Sequence, residues 1–207
     1  MTRIHIKICG ITDAGGAAAA AEAGADSVGF VFAPSLRQIT PQEATRLAVR
    51  LPEGIDRVAV FFRPTVTEIT QALGVFEAEI VQADHGYLHD LDGKRVLAVF
   101  RESEGVHAEL DAYVGGTTDR RFVYEGPRSG VGRTVDWARA FGVARRGQVT
   151  LAGGLDPDNV GEAIRTVCPF GVDVSSGVES KPGVKDPGRI RAFVEAVREA
   201  EKGLVGT

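Results

Sequence analysis

With 207 residues and a formal net charge of −4 that includes no basic block, the chain offers no electrostatic case for nucleic acid or an anionic membrane as partner. No run approaches the roughly 18 apolar residues of a membrane span, and the N-terminus enters a charged strand instead of a signal-type apolar stretch, so a cytoplasmic protein is expected. Its two cysteines, Cys9 and Cys168, are then expected to remain free thiols.

From Arg3 to Ile8 charged or polar residues alternate with isoleucine, the period-2 signature of a strand. His5, Lys7 and Cys9 fall on one face, and Ile4, Ile6 and Ile8 on the other. Thr12 reads as the cap of an alanine-rich helix over 14–25. A buried strand follows at 26–32, then a helix opened by the capping box Thr40-Pro41-Gln42-Glu43. Further strands are predicted at 56–62, 78–82, 94–100, 121–124, 148–152 and 171–174. Further helices are predicted at 66–75, 102–113, 134–143, 157–167 and 187–202, with a short one near 87–91. Eight strands alternating with helices imply parallel strands joined by crossovers. The expected fold is an α/β single-domain (β/α)8 TIM barrel spanning 1–207, a doubly wound open sheet being the competing arrangement.

Barrel enzymes carry their chemistry at the C-terminal ends of the strands. Cys9 stands there after strand one, where the nearby Lys7 ammonium would favour its thiolate. Ser35 and Arg37 follow strand two, Asp84 and His85 strand four, and Glu125 with the loop 126–132 strand six. Gly153-Gly154 after strand seven and Ser175-Ser176-Gly177 after strand eight put backbone N–H groups in adjacent turns, an arrangement suited to phosphate. Asp84-His85 with His89-Asp90 superficially suggests a metal site, but two histidines alone make a poor one, and no metal is expected. Cys168, ahead of Pro169 at a helix end, reads as structural.

Lys7-Ile8-Cys9-Gly10-Ile11-Thr12, Gly29-Phe30-Val31-Phe32, Ser35 with Arg37, Leu151-Ala152-Gly153-Gly154-Leu155, and Asp173-Val174-Ser175-Ser176-Gly177-Val178-Glu179 together resemble the phosphoribosylanthranilate isomerases of tryptophan biosynthesis, from the first strand to the last helix. The resemblance implies an aldose-ketose type isomerase that carries out an Amadori rearrangement of a phosphorylated aminosugar without cofactor, as a monomer or homodimer. It makes Cys9 the general base and Glu125 the general acid, and sets Lys7, Arg37, Gln82 and Asp173 around the substrate, Arg37 on the anthranilate carboxylate. Such a pair would need Cys9 shifted down, by Lys7, and Glu125 shifted up, by burial or nearby negative charge.

Two places depart from the family pattern. Its VQLHG becomes Val81-Gln82-Ala83-Asp84-His85-Gly86, one residue longer, so either a bulge restores the facing of His85 or Asp84 faces the site. The family's aspartate after strand six is Glu125, whose carboxyl reaches about 1.5 Å further. These departures leave an inactive phosphate-ligand-binding barrel to weigh, and Lys7, as a strand-tip lysine, leaves a related barrel like indole-glycerol-phosphate synthase.

Overall fold

The structure, a computed structural model, describes residues 3–88, 91, 94–127 and 132–204. Eight parallel strands close into a barrel in sequence order: β1 His5–Cys9, β2 Ser27–Val31, β3 Asp56–Val60, β4 Ile80–Asp84, β5 Arg95–Arg101, β6 Arg121–Glu125, β7 Gln148–Ala152 and β8 Gly171–Val174. β1 pairs with β8 through Lys7–Asp173 and with β2 through Cys9–Gly29, so the sheet has no free edge. The open sheet is excluded.

Strand alternation divides the apolar residues in two. Ile6, Ile8, Phe30, Val81, Phe100, Phe122 and Val172 point outward and pack under the helices in one large cluster. Val58, Ile80, Leu97, Val99, Val123 and Ala152 point inward and fill the barrel. The inward residues above this plug are those with chemistry. Parity along each strand therefore decides what reaches the mouth.

The helices are α1 Ala14–Ala23, α2 Pro41–Ala48, α3 Val66–Leu73, α4 Val106–Val114, α5 Trp137–Ala144, α6 Val160–Val167 and α7 Pro187–Leu204. The Thr40–Glu43 capping box forms, and Thr65–Glu68 makes a second. Asp13, not Thr12, caps α1 by accepting from Gly16 N–H, while the Thr12 hydroxyl donates to the Gly183 carbonyl at 2.9 Å. Among the described residues the β4–β5 connection holds only a 3₁₀ turn, His85–Tyr87. The predicted helix near 87–91 and the residues His89 and Asp90 lie largely outside the described residues. After β8 come a 3₁₀ turn, Ser176–Val178, and an unforeseen hairpin of β9 Glu179–Lys181 with β10 Val184–Lys185. No helix among the described residues is long and apolar enough to cross a membrane.

Candidate active site

A cavity of about 540 Å³ opens at the C-terminal mouth, and Cys9, Arg37, Gln82, Glu125, Gly153, Gly154, Asp173, Ser175 and Ser176 all border it. Residues chosen from six separate stretches of sequence thus converge on one space. Gly177 lies just behind it.

On the β8–β1–β2 wall, Cys9 points inward against Gly29. A Cβ at position 29 would stand 2.8 Å from the Cys9 sulfur, so the glycine makes room for the thiol. Lys7 lies one layer deeper, 1% exposed, and donates to Asp173 at 2.8 Å. It was expected beside the substrate but does not border the cavity, whereas its neighbours Cys9 and Asp173 do. Burial alone would lower its ammonium, but Asp173 and Cys9 more than offset that and raise it. For Cys9 the balance runs the other way: burial pushes the thiol up, Lys7 pulls it back only in part, and Asp173 adds to the rise. This corrects the expectation that Lys7 brings Cys9 down. Lys7 does favour the thiolate, but the cost of burying a charged sulfur is the larger effect.

Arg37 reaches a carboxylate, but one belonging to the chain. Its Nε and Nη2 donate to Glu179 at 2.6 and 2.9 Å, a two-pronged fork. Lys185 Nζ donates to the same Glu179 at 2.9 Å and to the Ser175 carbonyl at 2.9 Å. Burial would raise Glu179, but the bonds from Arg37, Lys185 and the Gly183 N–H hold it down at about 2. Arg37 therefore borders the cavity already oriented, with Nη1 outside the fork.

On the other wall, β4 runs on without a bulge to Asp84, in register with Val99. Gln82 and Asp84 thus share the inward face, which is the second of the two arrangements expected of the longer segment. His85 turns outward and stacks on Phe100 with ring centroids 4.5 Å apart. Asp84 binds Arg101 at 2.7 Å and Arg63 at 3.3 Å. The Glu125 carboxylate meets Arg101 Nη1 at 2.6 Å. Glu125 was expected to be buried or near negative charge, and a neighbour of its carboxylate is the Arg101 cation. Gln82 Oε1 and Asp173 Oδ1, both buried at the cavity, have no partner among the described residues.

The turns after β7 and β8 close against each other. Gly154 has φ +63°, and a Cβ there would lie 2.3 Å from Thr134 N. One on Gly177 would lie 1.9 Å from the Leu155 carbonyl oxygen. Only glycine permits this approach, which brings bare backbone to the cavity rim. Of the loop after β6, Arg128 to Val131 lie outside the described residues.

Glu179 entered only within the motif that carries the resemblance, and Arg101 and Lys185 were given no role from the sequence. Arg101 was within reach of it: Leu97 and Val99 are inward, so parity turns Arg101 inward too once β5 is carried one residue past Phe100. Glu179 and Lys185 fall in a glycine-turn hairpin too short to show periodicity.

Fold and cavity together define a single (β/α)8 barrel of the enzyme type that works at the C-terminal ends of its strands. Residues 6–196 match the family model for N-(5'-phosphoribosyl)anthranilate isomerase. Among curated proteins, the isomerase of that name from Roseiflexus sp. is 40% identical over 95% of this chain and 99% of its own. That from Prosthecochloris aestuarii is 38% identical over 97% and 96%. A crystal structure of a phosphoribosylanthranilate isomerase in complex with reduced 1-(o-carboxyphenylamino)-1-deoxyribulose 5-phosphate is 33% identical, covers 95% of this chain and 99% of its own, and superposes with a TM-score of 0.79. The chain belongs to the N-(5'-phosphoribosyl)anthranilate isomerase family.

Proposed function

We propose that the protein converts N-(5-phosphoribosyl)anthranilate to 1-(2-carboxyphenylamino)-1-deoxyribulose 5-phosphate, with Cys9 as general base and Glu125 as general acid. The observation that carries this reading is the joint presence of the β1 thiol and the β6 carboxyl on one cavity that the 153–154 and 175–176 turns also border. The ligand bound by the related crystal structure is the reduced product of this reaction, and its phosphate and carboxylate are the anions such a rim and Arg37 Nη1 suit.

In this reaction Glu125 gives its proton to the furanose ring oxygen, and the C1–O bond breaks to leave a Schiff base. The cationic nitrogen acidifies the C2 hydrogen, which Cys9 thiolate removes, and its electron pair forms the enolamine. Tautomerisation to the ketone adds a proton at C1 and releases the one on O2, and the proton taken by Cys9 passes through water to reload Glu125. Lys7 stabilises the thiolate as it forms, and the unpaired Asp173 Oδ1 and Gln82 Oε1 accept from sugar hydroxyls. A cytosolic setting fits the two free thiols.

Loss of anthranilate-substrate fluorescence tests the assignment. Cys9→Ser and Glu125→Gln are each expected to lower kcat by about 10²- to 10⁴-fold. Turnover near the native rate in either variant sinks the role of that residue.

A further inference from the structure

The two departures from the family pattern meet at one side chain. The residue inserted before His85 makes Asp84 the last inward position of β4, and Glu125 is the last inward position of β6. Between them Arg101 ends β5. Its Nη2 lies 2.7 Å from Asp84 Oδ1 and its Nε 3.4 Å from Asp84 Oδ2, while Nη1 lies 2.6 Å from Glu125 Oε1. The three side chains are 11, 18 and 15% exposed. Phe62 lies against the guanidinium, its ring centroid 5.0 Å from Cζ, and limits where it can move.

A proton donor beside a lone guanidinium is poorly suited to its task, because the cation favours the carboxylate. Here the cation has a second carboxylate, and that one takes two of its donors. The length of Glu125 belongs to the same arrangement: an aspartate would fall about 1.5 Å short of Nη1. We infer that Asp84 and Arg101 are positioning residues for Glu125, Arg101 fixing where its carboxyl stands and Asp84 supplying the countercharge that lets it keep a proton. The inserted acid and the longer acid are thus a compensating pair. This rests on the reading of Glu125 as the general acid.

Among the described residues, other charged or titratable groups also stand around Glu125. Arg63 binds the far side of Asp84, Glu102 follows β5 with its N–H on the Glu125 carbonyl, and Arg133 returns over Gly126. Cys9 and the Lys7–Asp173 pair face it across the cavity. All of these stay unchanged in the variants that test the inference.

The measurement is the titration of the Glu125 carboxyl carbon in labelled protein by NMR, its signal identified by loss in Glu125→Gln, alongside kcat and KM. Asp84→Asn removes the countercharge and is expected to move this titration down by about one unit, lowering kcat at pH 7 about tenfold with KM little changed. Arg101→Gln leaves two carboxylates facing each other and is expected to move it up by a similar amount. In a Glu125→Asp background, where the shorter carboxyl lies beyond Arg101, Asp84→Asn is expected to change kcat less than threefold. Shifts of the same sign in the two variants, no shift in either, or an equal kcat loss in both backgrounds overturns the inference. Should Asp84→Asn fail to fold, the upward shift in Arg101→Gln decides alone. Native-like turnover in Glu125→Gln would instead remove the general-acid reading itself, a separate result.

Discussion

The two walls of the mouth hold their charges in opposite ways. On the β8–β1–β2 wall the ion pairs are sealed: the side chains of Lys7 and Asp173 are 1 and 8% exposed, those of Lys185 and Glu179 0 and 4%. Across the cavity Asp84 is buried about as well as Asp173, but its cations are more open, Arg101 at 18% and Arg63 at 57%, and Glu125 is 15% exposed. Charges removed from water are held to fixed partners by the cost of leaving them unpaired. Those near water can lose or gain a proton at little cost. On the proposed roles, the sealed wall keeps the field at Cys9 fixed, and the more open wall leaves Glu125 nearer to water.

The comparison breaks most directly at its buried pairs. Asp173→Asn strands the Lys7 ammonium in the barrel, and an expected loss of about 3–5 kcal/mol should appear in denaturant unfolding. Asp84→Asn, on the open wall, is expected to cost about 1 kcal/mol or less in the same experiment. Equal losses would mean that exposure does not separate the two walls.

Glu179 sharpens the contrast through pH. Its carboxyl is held at about 2, below the roughly 4.3 of an unfolded glutamate. A group whose pKa falls on folding adds stability that is present above the unfolded value and lost as pH drops through the folded one. Unfolding free energy is therefore expected to fall between about pH 4 and pH 2, and Glu179→Gln should lower stability at pH 7 and flatten that decline. A decline of unchanged size in the variant would locate the acid-sensitive group elsewhere.

How much of this was legible in sequence follows from the range of each cause. β7 and β8 match their predicted bounds of 148–152 and 171–174, since each is an apolar run stopped by a glycine or a polar turn. β4 was placed at 78–82 but runs from Ile80 to Asp84. Glu79 instead binds Arg57, and Asp84 can end an inward face only because Arg101, from another strand, neutralises it. The direction of the Cys9 shift was lost for the same reason. Lys7 is visible two residues away, but its partner Asp173 is 166 residues distant and burial is a property of the closed barrel. Parity and turn chemistry are local and could be read; the sharing of one cation between groups could not.

The smallest effect is expected at the opposite end of the barrel, where Cys168 ends α6 with φ +52°, the one non-glycine residue in the left-handed region among those described. Its N–H accepts the cap geometry by donating to the Ile164 carbonyl at 2.9 Å, while its exposed thiol makes only a 3.7 Å contact with the Arg165 carbonyl. A glycine there would relieve roughly 1 kcal/mol of backbone strain and give back about half of that through the greater freedom of the unfolded chain. Cys168→Gly is therefore expected to stabilise by about 0.5 kcal/mol with kcat and KM unchanged, read by thermal unfolding and the fluorescence assay. A change in kcat would show the helix end coupled to the mouth, and the two walls could then no longer be treated apart from the body of the barrel that carries them.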